Sequence, residues 1–271
     1  MFQIRHVDSL DLPELAPYRT MRRHHDHVLQ RIFVAEGDKV VRRLLEAPFT
    51  IQSALMLERW LPDLAPLFEA RPENIPIYLA PKDQMEQIVG FTLYQGLMAV
   101  AQFPTPPALD DVLATAPSPR LFLALDGLAD AENLGVIVRN CTAFGVHLLI
   151  AGETCASPYM RRAVRNSMGA IFKMAVIEPP SLVETLGYLR SRGVRCIAAH
   201  GGSREKTLGR CDLTRDCCVV LGSEGLGLSP AVLAACDEAV AIPMANGVDS
   251  LNVANAAAVF LYEAARQRGG M

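Results

Sequence analysis

Two stretches late in the chain bring together residue types that chemistry needs. The first, Gly222-Ser223-Glu224-Gly225-Leu226-Gly227, sets one carboxylate among three glycines. Glycines let a backbone approach a ligand closely and present its N–H groups. The second runs from Pro243 to Ser250 and leads into an apolar run, residues 251–265, that carries Asn252 and Asn255. Each follows a strand-like run, 219–221 and 239–242, and in α/β proteins ligands gather at the loops that leave strands. A buried amide without partners costs about 1–3 kcal/mol, so asparagines inside so apolar a helix require hydrogen-bond partners. A plain arrangement, with Asp249 or Ser250 capping the helix and the asparagines bonding nearby backbone, meets that requirement as well as a functional one does. Ser229-Pro230 has the form of an N-cap followed by a first-turn proline.

The glycine loop reads G-x-x-G-x-G, not the G-x-G-x-x-G of a dinucleotide turn, and no acid ends the next strand. LGSEGLGLS, followed by IPM and then SLNVA at these distances, instead resembles the second and third motifs of the SpoU (TrmH) family of RNA ribose 2'-O-methyltransferases, in the SPOUT superfamily. That resemblance implies a first motif, an Asn and an Arg six residues apart opening a helix after an earlier strand. Asn133-Leu134-Gly135-Val136-Ile137-Val138-Arg139 supplies it.

By the same resemblance Arg139 matches the catalytic arginine and Asn133 the residue that places it. Glu224 matches the acid of the second motif, and Ser250 and Asn252 the polar pair of the third, which orient the arginine and the target ribose. S-adenosylmethionine is implied as cofactor, bent against the loop backbone at Ala199, Gly222, Ile242, Met244 and Leu251. Arg165-Asn166-Ser167-Met168-Gly169-Ala170 is similar to a family segment, R-x-S-x-G-A, near the RNA. The chain departs from the family at Asp130-Ala131-Glu132, where a proline often precedes the Asn, and at Asn255, where a small or apolar residue is commoner. Taken alone, Asn133 also fits an ordinary N-cap and Arg139 a surface arginine. Ile137, Cys141 and Phe144 form an i, i+4, i+7 stripe, and Arg139 lies about 200° from Ile137, pointing away from that buried face.

These loops need a scaffold. From residue 121 the pattern runs strand, loop, helix: strands at 121–125, 147–150, 173–177 and 196–199, helices at 134–144, 159–167 and 182–192. Alternation of this kind predicts a mostly parallel sheet with both faces covered. The family resemblance adds a deep trefoil knot and a homodimer built through the catalytic domains. Before residue 104, strands are expected at 51–57, 75–79 and 97–103, helices at 61–69 and 82–89, and a largely helical stretch at 18–46 broken by a strand and turn at 33–37. This is a second, smaller α/β domain. Residues 31–45 with Gln95-Gly96-Leu97 resemble the substrate-binding domain that precedes many SpoU catalytic domains, similar to ribosomal protein L30e and to L7Ae. The domains expected are therefore 1–103, a proline-rich linker at 104–119, and the catalytic domain at 120–271.

Composition sets the remaining bounds. The 271 residues, 51% hydrophobic and 20% charged, suffice for two cores. No apolar run reaches the roughly 18 residues of a membrane span, and the polar start MFQIRHVDSLD lacks a signal-peptide pattern, so a cytoplasmic location is expected. Seven cysteines without a C-x-x-C pair point to reduced thiols and to no metal site. A net charge of −3 leaves RNA binding to local clusters, of which there are two: Arg19, Arg22 and Arg23 with the histidines that follow, and Arg161, Arg162 and Arg165; taken alone, each also fits a solvated helix face.

The expected activity is S-adenosylmethionine-dependent methylation of a ribose 2'-hydroxyl, in ribosomal RNA ahead of transfer RNA because of the extra docking domain. The alternative from another class is a noncatalytic RNA-binding protein of the same fold. A guanidinium holds its proton at any physiological pH, and removing it is costly, which favours Arg139 as a cation over Arg139 as a base.

Overall fold

The computed structural model describes residues 2–202 and 206–269. In chain order the elements are β1 (Phe2–His6), α1 (Ala16–Arg19), α2 (His24–Gln30), β2 (Ile32–Glu36), α3 (Asp38–Leu45), β3 (Ile51–Met56), α4 (Leu61–Glu69), β4 (Ile75–Leu79), α5 (Lys82–Val89), β5 (Leu97–Gln102) and α6 (Leu109–Thr115). There follow β6 (Leu121–Asp126), α7 (Ala131–Ala143), β7 (Leu148–Ala151), α8 (Arg161–Asn166), β8 (Val176–Ile177), α9 (Leu182–Ser191), β9 (Arg195–Ala199), β10 (Cys217–Gly222), α10 (Pro230–Ala235), β11 (Glu238–Val240) and α11 (Val253–Gln267).

Two compact units form, one from residues 1–105 together with 159–173, the other from 106–158 and 174–271. The first holds a five-stranded sheet in the order β1-β4-β3-β5-β2, with β5 antiparallel to both its neighbours and the remaining pairs parallel. β2 ends the sheet, yet all five of its residues are buried. The cover is aromatic: Phe33 on β2 lies 5.6 Å from the Tyr159 ring and 6.0 Å from Phe172, both on the returning 159–173 segment. Phe49 meets Phe172 at 5.3 Å and Phe103 meets Tyr159 at 5.2 Å, so four contacts of about 0.5–1.5 kcal/mol each hold that segment to this unit. Periodicity alone placed residues 159–167 in the run of catalytic-half helices; the ring contacts assign them elsewhere.

The second unit is a six-stranded sheet, β11-β9-β10-β6-β7-β8, parallel throughout. Its central strands, LFLALD and CCVVLG, are buried almost end to end, as strands covered on both faces must be. Register sets Gly222 opposite Asp126 and Val240 opposite Ala199. Because the strands are parallel, the loops after β6, β9, β10 and β11 leave one edge together, and ligands in open α/β sheets bind there.

Two elements depart from the sequence expectation by appearing where none was read. β1 is an edge strand with four of five residues exposed, so its composition resembles a loop. α6 lies inside the proline-rich stretch, and its Val112 and Leu113 join the core of the second unit. The strand expected at 173–177 is only Val176–Ile177, since residues 170–173 wind into a single 3₁₀ turn. Among the described residues no helix is long and apolar enough to cross a membrane. All seven cysteines are free, five of them buried.

Candidate active site

Three side chains, two at helix starts and one in a glycine loop, meet at the carboxyl edge of the parallel sheet. Asn133 Nδ2 donates to Glu224 Oε1, and Asn252 Nδ2 donates to the same oxygen at 2.8 Å. Asn252 Nδ2 also lies 3.1 Å from Asn133 Oδ1. Each asparagine is placed by a helix start. Asp130, not Asn133, caps α7, its Oδ1 accepting from the backbone N–H groups of Glu132 at 2.7 Å and Asn133 at 3.0 Å. That frees the Asn133 amide for Glu224. At the other helix Asn252 itself is the cap, accepting from Ala254 N at 2.9 Å, so neither Asp249 nor Ser250 caps α11. Asn252 and Asn255 are exposed at the helix start, not buried within it, and Asn255 disturbs no packing. The two helices are tied by Asn140 Nδ2, which donates to Ala254 O at 3.0 Å.

The loop that carries Glu224 is pinched shut at its base. Ser223 N donates to Gly227 O at 3.1 Å and Gly227 N to Ser223 O at 2.9 Å. A Cβ on Gly222 would sit 2.1 Å from the Gly227 carbonyl carbon, so only glycine fits there. The far end of the loop is held by Asp126, which is buried and accepts from Ser229 N at 2.7 Å, while Ser229 caps α10 through Val232 N.

Beside this loop lies a cavity of about 640 Å³. All five residues expected to hold a cofactor, Ala199, Gly222, Ile242, Met244 and Leu251, line it, as do Glu224 and Ser250. The size falls within the roughly 300–1,000 Å³ of small-molecule sites. Its lining mixes apolar side chains, Ile242, Met244, Leu251 and Phe260, with polar groups on His200, Thr207 and Ser250.

Two expected catalytic residues stand apart from the trio. Ser250 lines the cavity but makes no hydrogen bond among the described residues. Arg139 is exposed, its side chain has no ion pair or hydrogen bond among the described residues, and it does not line the cavity. It sits six residues beyond Asn133 on α7, about 9 Å along the axis. Sequence reasoning missed Asp126, Asp130, His200 and Thr207. An acid ending a buried strand was the available signal for Asp126 and an Asx at the start of a helical run for Asp130; nothing local marked the other two.

In the first unit the two arginine clusters become one. The guanidinium carbons of Arg22 and Arg161 lie 4.8 and 5.0 Å from the centre of the Phe91 ring. Arg161 is neutralised by buried Glu36, which Arg165 also reaches at 3.3 Å. Arg22, Arg23 and Arg162 are exposed without ion pairs among the described residues and remain available to phosphate.

The description of the SpoU rRNA methylase family matches residues 120–262, the stretch that contains the trio and the cavity. The chain belongs to this family. An uncharacterized tRNA/rRNA methyltransferase of Mycobacterium bovis is 33% identical over 97% of this chain and 94% of its own length. Among solved structures, a putative RNA methyltransferase of the TrmH family from Porphyromonas gingivalis is 27% identical with a TM-score of 0.79, covering 96% of this chain and 99% of the other. The SpoU methyltransferase AviRb from Streptomyces viridochromogenes, in complex with AdoMet, is 26% identical at a TM-score of 0.79, covering 96% and 100%. The α/β architecture of this chain is the one those methyltransferases share.

Proposed function

We propose that this protein methylates a ribose 2'-hydroxyl of RNA. Family membership makes it an S-adenosylmethionine-dependent RNA methyltransferase. The ribose reading rests on one observation above the others: the chain's three motif asparagine and glutamate residues converge on a single carboxylate oxygen beside a cofactor-sized cavity. A solved structure described as an RNA 2'-O ribose methyltransferase, 27% identical over 99% of this chain, supports it.

The residues present fit the cofactor. Gly222 lets the loop close on its own backbone at the edge of the cavity, and the Ala199, Ile242, Met244 and Leu251 positions supply backbone and apolar surface around it. Bound there, S-adenosylmethionine supplies an electrophilic methyl group on a sulfonium. The ribose hydroxyl must lose a proton as it reacts. Glu224 Oε2, which makes no hydrogen bond among the described residues, is the open acceptor of the trio, while Asn133 and Asn252 hold Oε1. Arg139 serves as a cation toward phosphate and developing negative charge. Arg139→Lys should therefore keep measurable activity; complete loss with RNA and cofactor affinity intact would overturn that role.

Ribosomal RNA is the preferred substrate in this reading, with transfer RNA second, because the first unit adds a sheet carrying a basic cluster. We read that unit as L30e/L7Ae-like and the C-terminal segment as knotted. Support for the knot is that β10 enters between β9 and β6, both formed earlier in the chain. A homodimer through α7 and α11 is supported by Val136, Val259 and Tyr262, exposed at 39%, 36% and 49% on those helices. Arg139 is three residues past Val136 and shares that face, so a dimer built there carries its guanidinium to the subunit boundary.

The test is transfer of labelled methyl from S-adenosylmethionine into total RNA from cells lacking the protein, followed by nuclease mapping. Label in one alkali-resistant dinucleotide is expected. Label on a base with the adjacent linkage still alkali-labile would overturn the ribose assignment, and absence of cofactor binding would overturn the enzyme.

A further inference from the structure

The first unit contains a cavity of its own, of about 340 Å³, at the lower end of the roughly 300–1,000 Å³ range of small-molecule sites. It opens between the turn joining β2 to α3, the turn entering β5, and the 159–173 segment. Its carboxylates are already matched. Glu36 accepts from Arg161 and Arg165, and Asp38 pairs with Arg42 at 2.5 Å. One carboxylate shared by two arginines, with Lys39 unpaired among the described residues, leaves the lining with surplus positive charge, which suits a polar group that carries a phosphate.

Gln95 is held in one orientation. Its backbone oxygen accepts from Trp60 Nε1 at 2.9 Å and from Arg59 at 3.1 Å. Its side-chain Oε1 accepts from the Asp38 N–H at 2.7 Å, a contact made close by Gly37, where φ is +98° and a Cβ would stand 2.9 Å from that oxygen. An N–H can only donate, so the amide cannot be reversed, and Nε2 is left as a donor with no partner among the described residues. Next to it, Tyr94 is 87% exposed, and on the rim Lys39 is exposed without an ion pair among the described residues. A fixed donor, a bare aromatic ring and surplus positive charge from Lys39 and Arg165 describe the complement of a flat, acceptor-bearing ring with a phosphate attached.

We infer that this cavity binds one unpaired nucleobase of the RNA substrate, stacked on Tyr94, with Gln95 Nε2 donating to its edge and Lys39 meeting a flanking phosphate. The inference rests on the RNA methyltransferase reading above. RNA is recognised largely through splayed single-stranded bases stacked on aromatic side chains, and a paired base offers neither a free face nor a free edge. The pocket therefore selects RNA by an unpaired nucleotide separate from the one that is methylated.

The test uses the full chain saturated with S-adenosylmethionine and four probes: fluorescein-labelled heptanucleotides of A, C and U, and a blunt RNA duplex, read by fluorescence anisotropy. The native protein should bind the single strands with a preference for one base and above the duplex. Tyr94→Ala should weaken the preferred strand by about 5- to 150-fold, the loss expected for one stacked base. Gln95→Glu keeps the acceptor for the Asp38 N–H and replaces the free donor by an acceptor, so it should alter the ranking of the three bases, whereas added negative charge alone would lower all three equally. Unchanged affinity within twofold in Tyr94→Ala, an unchanged ranking in Gln95→Glu, equal binding of the duplex, or no saturable binding of any heptanucleotide would each overturn the inference. Cofactor affinity measured by calorimetry should stay native in both variants. A native protein that binds no S-adenosylmethionine would instead defeat the enzyme reading.

Discussion

Gly222→Ala tests the position where the loop closes most tightly on its own backbone. The added Cβ would lie 2.1 Å from the Gly227 carbonyl carbon, 2.3 Å from its oxygen and 2.3 Å from Leu228 N, all backbone atoms that cannot rotate away. Returning the closest of these to the 3.4 Å of ordinary contact requires the facing strand of the loop to retreat by about 1.3 Å. Such a movement parts both hydrogen bonds that close the loop, Ser223 N to Gly227 O and Gly227 N to Ser223 O. At about 1 kcal/mol net each, their loss is about 2 kcal/mol, or roughly a 30-fold weaker cofactor site. Gly225→Ala is the internal control, since nothing lies within 4 Å of its Cβ and its φ is not left-handed. Calorimetric titration of S-adenosylmethionine into both variants should show about 30-fold weaker binding for the first and binding within twofold of native for the second. Equal losses in the two, or none in Gly222→Ala, would refute the claim that backbone closure of this loop forms the site.

Asn252→Asp keeps the oxygen that caps α11 but removes the donor to Glu224 and sets a second carboxylate beside it. Thermal unfolding should move little, whereas steady-state methyl transfer should fall by about 10- to 150-fold, the loss of a hydrogen bond to a charged group; an unfolding shift without a rate effect would count against the trio. Arg161→Ala strands the buried Glu36 carboxylate with only Arg165 at 3.3 Å, and urea unfolding should register about 3–5 kcal/mol of destabilisation. Burial holds the Glu178 carboxyl above its ordinary value near 4.5, against a smaller opposing effect of the Ser157 hydroxyl. A folded pKa above the unfolded one gives stability that is complete below the unfolded value and lost as pH rises through the folded value. Glu178→Gln should thus raise the unfolding midpoint at pH 7.5 and leave it near native at pH 4, and an equal difference at both pH values would contradict the burial assignment.

Local pattern carried much of this molecule. α4 and α5 begin and end at the residues that periodicity marks, and the five cofactor positions implied by the motifs line one cavity. What escaped were choices between near-equivalent local options decided at long range. Asp130 and Asn133 are both good caps three residues apart; Asp130 took the helix because Glu224, 91 residues away, holds the Asn133 amide. Among Asp249, Ser250 and Asn252 the cap fell to Asn252, whose amide answers the same carboxylate. Arg22 and Arg161 read as separate clusters because nothing near either in sequence reveals that both stack on Phe91. Residues 159–167 carry the helical period expected of the parallel sheet's coverings, while the rings that place them, Phe33, Phe49 and Phe103, lie far back in the chain.

The returning segment also governs how this protein can be taken apart or recombined. Because residues 159–173 complete the first unit, the polypeptide passes from one unit to the other three times, at 105–106, 158–159 and 173–174. No single scission separates two self-sufficient modules. A fragment ending at residue 105 lacks Tyr159 and Phe172 and leaves β2 uncovered, and the complementary fragment carries those rings with nothing to bury them. Exchanging the first unit with that of a relative therefore demands transplanting two pieces of sequence at once, which ties its inheritance to that of the methylase half.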